Sequence, residues 1–174
     1  MIKNNVELRK ITEQDTDYIV KWRNKLEVKR NFCIQDEITR EDHIKWYKNK
    51  IQTGEVNQFI IIDRTTNKPV GSTYLRDIDM KNKKAEFGIF IGENSARNKG
   101  IGTDTTSLMV QYGFETLKLN KIFLRVFSNN LGAIRAYEKA GFIYEGTAKQ
   151  DIRLPNGEYQ DIIFMSKLND NKEK

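Results

Sequence analysis

Apolar positions along this chain follow two rhythms, every second residue in some stretches and every third or fourth in others. Val6 to Ile11 reads as a first strand. From Asp15 to Asn24 the spacing turns helical, with Tyr18, Ile19 and Trp22 on one face. Thr39-x-x-Asp42 has the form of a capping box. It opens a second helix whose Ile44, Tyr47 and Ile51 keep helical spacing, ending near Gly54. Phe59 to Asp63, Val70 to Ile78 and Ala85 to Ile91 read as strands, separated by turns at Thr66-Asn67-Lys68 and around Asn82. A third helix runs from Gly102 to Leu117, with Leu108, Met109 and Tyr112 inward. Lys121 to Val126 alternates as a strand, and Asn130 to Ala140 is a helix stopped by Gly141. Phe142 to Gln150 and Tyr159 to Leu168 are the last strands, joined at Leu154-Pro155-Asn156-Gly157. This order predicts an α/β fold with a mixed sheet of about seven strands and about four helices on its faces, not a doubly wound parallel sheet.

The 174 residues suit one domain over 1–168, with a disordered tail from Asn169 to Lys174. No apolar run is long enough to span a membrane, and the first residues carry no signal-like apolar segment. Cys33 is the one cysteine and His43 the one histidine, so neither a disulfide nor a structural zinc is expected, and the chain reads as cytoplasmic. The net charge of +6 favours an anionic ligand. Its basic residues are scattered, and the run Lys81-Asn82-Lys83-Lys84 falls in a turn, so nucleic acid is not the expected partner.

Two strings carry chemistry. Arg97-Asn98-Lys99-Gly100-Ile101-Gly102 follows a strand and opens a helix. First-turn amides lack intrahelical partners, and the helix dipole favours negative charge, so such a turn can cradle phosphate. The string is neither a P-loop nor a dinucleotide fingerprint, and a plain glycine turn is the bland alternative. In the second string, Asn130 and Tyr137 stand seven residues apart and share a helix face with Ala133. A helix cap and a core tyrosine are the bland readings there. On the strand before the glycine turn, Phe87, Ile89 and Ile91 point one way, and Glu86, Gly88 and Phe90 the other, where Gly88 lets a ligand lie against the strand.

From Ala85 to Phe142 the chain resembles the acetyl-CoA-binding core of the GNAT N-acetyltransferase superfamily. Arg97 to Gly102 matches its Arg/Gln-x-x-Gly-x-Gly/Ala string. Asn130, Ala133, Tyr137, Gly141 and Phe142 match its later motif. The resemblance implies a strongly twisted sheet and an acetyl-CoA-dependent transfer made directly to a primary amine, without a metal. It implies that Arg97, Asn98, Lys99, Gly100, Ile101, Gly102 and Thr103 hold the pyrophosphate. The backbone of Phe90 and Ile91 would pair with the pantetheine arm, and Asn130 with Ala133 would flank it. Tyr137 would be the general acid toward the departing thiolate, and Glu86 is the candidate base for the amine, with ordered water as the alternative. Cys33 is expected to be inert, since direct transfer needs no acyl-enzyme.

The acceptor is less constrained. Trp22-Arg23-Asn24 and Ile38-Thr39-x-x-Asp42-His43 resemble a branch that acetylates nucleotide-linked amino sugars. Ala85-Glu86-Phe87, Glu145-Gly146 and Tyr159-Gln160-Asp161 equally resemble polyamine and ribosomal-protein N-terminal acetyltransferases. The amino sugar ranks first, the polyamine second and the protein N-terminus third. Arg23, Asn24, His43 and Tyr74 are the expected acceptor contacts, with an exposed helix face as the other reading of His43. A homodimer is compatible. The rival classes are a non-catalytic acyl-CoA-binding module and a basic RNA-binding protein.

Overall fold

Thr39 opens its helix as the capping pattern requires. Its hydroxyl accepts the Asp42 N–H at 3.1 Å, and the Asp42 carboxylate accepts the Thr39 N–H at 2.9 Å. The computed structural model describes residues 1–170 of the chain. In order, the elements are β1 (Ile2–Lys3), β2 (Val6–Lys10), α1 (Thr16–Asn24), α2 (Leu26–Lys29), α3 (Arg40–Trp46), β3 (Asn57–Asp63), β4 (Lys68–Asp79), β5 (Lys84–Ile91), α4 (Ile101–Gln111), β6 (Lys121–Phe127), α5 (Leu131–Lys139), β7 (Ile143–Arg153) and β8 (Tyr159–Leu168). α3 and α4 each continue for five residues as a wider π turn. The fold is thus the mixed α/β arrangement expected, with eight strands rather than seven and five helices rather than four among the described residues. The additions, β1 and α2, are two and four residues long, too short to show a period. Among the described residues, no helix is long and apolar enough to cross a membrane. Asn169, placed in the expected tail, donates its N–H to the Asn120 carbonyl at 2.9 Å. Residues 171–174 of that tail lie outside the described residues.

The sheet runs β1-β2-β3-β4-β5-β6-β8-β7. All neighbours are antiparallel except β5 and β6. That one parallel pair holds for three residues, Lys84 to Glu86 against Lys121 to Phe123, and then the strands part. Period-2 alternation sorts the side chains between two cores. Ile61, Leu75, Phe87, Ile122, Leu124 and Met165 pack with Leu108 and Met109 of α4 on one face. Ile60 and Phe90 pack on the other face with Ile19, Trp22 and Val28.

Trp22 pins α1 to the end of β5. It is fully buried, stacked on Tyr18 at 5.3 Å and edge-on to Phe90 at 6.3 Å. Its indole N–H donates to Glu93 at 2.7 Å, satisfying the polar atom that burial would otherwise strand. A β-carbon on Gly92 would lie 2.1 Å from the indole, so only glycine admits this contact. Gly92→Ala is therefore expected to destabilise the fold by about 1–3 kcal/mol through overpacking. Urea unfolding with the midpoint lowered at unchanged slope would show it.

Candidate active site

A cleft of about 1660 Å³ opens where β5 and β6 part. At one end stands the glycine turn. Gly100 has φ +79°, and Asn98 also takes a left-handed conformation, so the chain swings round to start α4 at Ile101. The first intrahelical bond is from the Asp104 N–H to the Gly100 carbonyl, at 3.0 Å. No side chain caps the helix, so the N–H groups of Ile101, Gly102 and Thr103 are unclaimed within it. A β-carbon on Gly102 would meet nothing within 4 Å, which leaves open space over those amides. An anion with several oxygens fits there. Of the residues expected at the cradle, Arg97, Asn98, Gly100, Gly102 and Thr103 line the cleft. The Ile101 side chain does not: it is buried in the α4 core, so only its backbone can serve. Lys99 is exposed and lies outside the cleft lining.

Beyond the fork, Phe90 and Ile91 line the cleft as expected. The Ile91 carbonyl already accepts a hydrogen bond from Arg97 at 3.1 Å, which ties the glycine turn to the strand. Asn130 caps α5: its side-chain oxygen accepts the Ala133 N–H at 3.2 Å, and its NH₂ donates to Asn31 at 3.2 Å. Tyr137 is about two turns further on, on the cleft side of α5. Its ring packs edge-on to Phe87 at 6.0 Å and beside Phe142 at 6.1 Å. Burial pushes its phenol far above the ordinary value, so it stays protonated. Its hydroxyl bonds to no described residue. It is a positioned donor.

Glu86 lies in the fork itself. It is buried, and its carboxylate is held from both sides. Arg76, its register partner on β4, donates at 3.1 Å, and Arg125 on β6 donates two hydrogen bonds at 3.0 and 3.1 Å. Burial pushes the carboxyl up, but the bonds from Arg125 and Arg76 outweigh it and hold the group below the ordinary value. A carboxylate so held is a weak proton acceptor. The geometry thus favours Glu86 as the anchor of two guanidiniums over its expected role as base. Alternation along β5 placed Glu86 correctly, but neither arginine could be assigned to it, because both sit on other strands.

Gly88 was expected to clear room for a ligand. Tyr74 takes that room instead: a β-carbon there would lie 2.2 Å from its ring. Tyr74 and Arg23 both line the cleft. The Arg23 guanidinium stacks on Phe32 at 3.4 Å, and its Nη1 is buried without a hydrogen-bond partner among the described residues. Asn24, expected to contact the acceptor, does not line the cleft. Its amide is consumed at both ends by the Ile38 backbone, at 2.9 and 3.0 Å, where it clamps the 30–39 segment to α1. His43 is no surface residue: it is buried, with Nδ1 3.0 Å from the Thr16 hydroxyl. That hydroxyl donates to the Glu13 carbonyl at 2.6 Å, so Nδ1 carries the ring proton and Nε2 is left without a partner among the described residues. Burial pulls the imidazole below its ordinary value, which keeps it neutral.

Two outcomes follow from this geometry. Gly102→Val places branched carbons in the open space over the free amides. It should weaken acetyl-CoA binding at least tenfold by calorimetry while the thermal midpoint moves little. Glu86→Gln should cost about 1–3 kcal/mol of stability at neutral pH, since it breaks charge-assisted bonds to both arginines. Because folding lowers the Glu86 pKa, the native ion pairing is fully present above about 4.5, the ordinary value, and is lost as the pH falls through the folded value. Denaturant titrations of both proteins should therefore converge in acid.

A profile of the "Acetyltransferase (GNAT) domain" matches residues 5–143. Spermidine N(1)-acetyltransferase of Escherichia coli (strain K12) is 28% identical over 162 residues, 93% of this chain and 85% of that one. Acetyltransferase PseH of Campylobacter jejuni is 27% identical over 144 residues, 80% of this chain and 87% of that one. The crystal structure of spermidine N-acetyltransferase from Vibrio cholerae with CoA and spermine superimposes with a TM-score of 0.87 at 26% identity, covering 94% of this chain and 95% of that one. With the glycine turn, the forked strands and the matched domain in agreement, this chain belongs to the GNAT acetyltransferase family and is an N-acetyltransferase.

Proposed function

We propose that this chain transfers acetyl directly from acetyl-CoA to a primary amine bound at the Glu86 end of the cleft. The observation that carries this reading is the alignment of the uncapped start of α4, the open edge of β5 and the Tyr137 hydroxyl along one cleft. Acetyl-CoA supplies the activated acyl group as a thioester. The amides of Ile101 to Thr103 hold its pyrophosphate, and the unpaired edge of β5 past Glu86 offers backbone groups to its arm. Backbone N–H groups on that edge stabilise negative charge developing on the acyl oxygen. Tyr137 delivers a proton to the leaving sulfur, and its raised pKa keeps that proton available. With Glu86 committed to its arginines, an ordered water is the better candidate to take the proton from the amine. Holding amine and thioester together supplies much of the rate.

The named spermidine enzymes among the relatives support a polyamine acceptor better than the nucleotide-linked amino sugar ranked first on sequence. One observation favours the second reading: Arg23, Arg76 and Arg125 make the acceptor end of the cleft cationic, which disfavours a polycation. Release of free thiol from acetyl-CoA, measured over polyamines, amino sugars and peptides, tests the reading. Thiol release with none of them would contradict it. Tyr137→Phe should lower kcat by about 10²–10⁴-fold on the best amine while CoA affinity is retained. A wild-type kcat in a chemistry-limited assay would reduce Tyr137 to packing.

A further inference from the structure

Buried polar groups in proteins are almost always paired, so an unpaired one inside a cleft marks a place where a ligand completes the bonding. Among the described residues, three buried side-chain atoms lack a partner: Arg23 Nη1, His43 Nε2 and Thr105 Oγ1. The first two belong to residues lining the cleft. Arg23 is the informative one, because it is charged.

Its surroundings are charged as well. Arg76 lies near enough to act on Arg23 by like-charge repulsion, and Tyr74 interacts with both, its ring centroid 5.5 Å from the Arg76 guanidinium. Arg76 and Arg125 share one buried carboxylate, that of Glu86. The next carboxylate, Asp77, is 3.8 Å from Arg76, and its side chain is 69% exposed, so water screens it. Glu27 and Asp42 also line the cleft, but Asn94 holds the first at 3.2 Å and the second is spent in the cap of α3. Two guanidiniums therefore share one buried carboxylate, and a third, that of Arg23, has no carboxylate partner among the described residues and is fixed flat against Phe32. A planar guanidinium held in place with a free N–H matches an oxyanion, which it binds through short charge-assisted bonds.

We infer that Arg23, backed by Arg76 and Arg125, forms an oxyanion subsite that selects acceptor amines carrying a carboxylate or phosphate. The inference rests on the proposed reading that the acceptor occupies this end of the cleft. It gives Glu86 a positioning role, since its two bonds to Arg125 and one to Arg76 hold those cations at the subsite.

The test has two arms. Sodium phosphate is titrated by calorimetry into wild type, Arg23→Gln and Arg23→Lys, each saturated with CoA so that the glycine turn is already filled. Wild type should bind phosphate. Arg23→Gln should weaken binding at least tenfold, and Arg23→Lys by less, because the charge survives without the planar fork. Retained CoA affinity in both variants shows that they are folded. Equal phosphate binding by wild type and Arg23→Gln, or no binding by wild type, would overturn the subsite. In the kinetic arm, kcat/KM for O-phosphoethanolamine over ethanolamine should exceed one for wild type and collapse at least tenfold in Arg23→Gln. Spermidine used more efficiently than O-phosphoethanolamine by wild type would overturn the subsite and leave the acetyl transfer standing. If no amine tested releases thiol, the acetyl-transfer reading falls instead, and the phosphate titration still decides whether the anion site exists.

Discussion

Everything in the cleft depends on the parting of β5 from β6 after three paired residues. A parallel pair that continued would bury the β5 edge and leave no room beside Tyr137. The buried Glu86 carboxylate stands at the last paired position and reaches Arg76 on one neighbouring strand and Arg125 on the other. This single group spans three strands where the sheet opens. Buried ion pairs gain little net stability over apolar packing, but one orphaned partner is costly, so such a clamp acts more on geometry than on total stability. Trp22 does the equivalent work at the far end of β5, holding α1 through Phe90 and Glu93.

The same fork divides the cleft by charge and by task. Towards α4 it offers backbone amides and a left-handed turn, which suit a pyrophosphate of any attachment. Towards β4 it offers side chains on three strands and α1, which are free to differ between relatives that share the fold. Relatives with different names, a spermidine N(1)-acetyltransferase and acetyltransferase PseH, match this chain at 28% and 27% identity. The local excess of guanidinium is a property of this chain itself, and it pulls against the polyamine reading that the relatives support.

Much of this was legible in the residues. Alternation assigned Phe87 and Phe90 to opposite faces of β5, and the glycine turn, the Asn130 cap and Tyr137 all fell where their spacing required. What escaped was whatever depended on a distant strand. Glu86 reads as a free carboxylate until Arg76 and Arg125 are brought beside it. Gly88 reads as an opening until the Tyr74 ring is laid over it. Asn24 and His43 read as polar contacts on helices, yet one clamps a loop backbone and the other is buried against Thr16. Periodicity reports which face a residue occupies and is silent on what crosses to meet it.

The central claim is that one cleft, opened at the β5–β6 fork, carries both the cofactor and the proton donor. A crystal structure of the protein with CoA tests it most directly. The pyrophosphate is expected on the backbone N–H groups of Ile101 to Thr103, the arm along β5 past Glu86, and the thiol within hydrogen-bond reach of the Tyr137 hydroxyl. A pyrophosphate bound elsewhere, or a thiol remote from Tyr137, would contradict it.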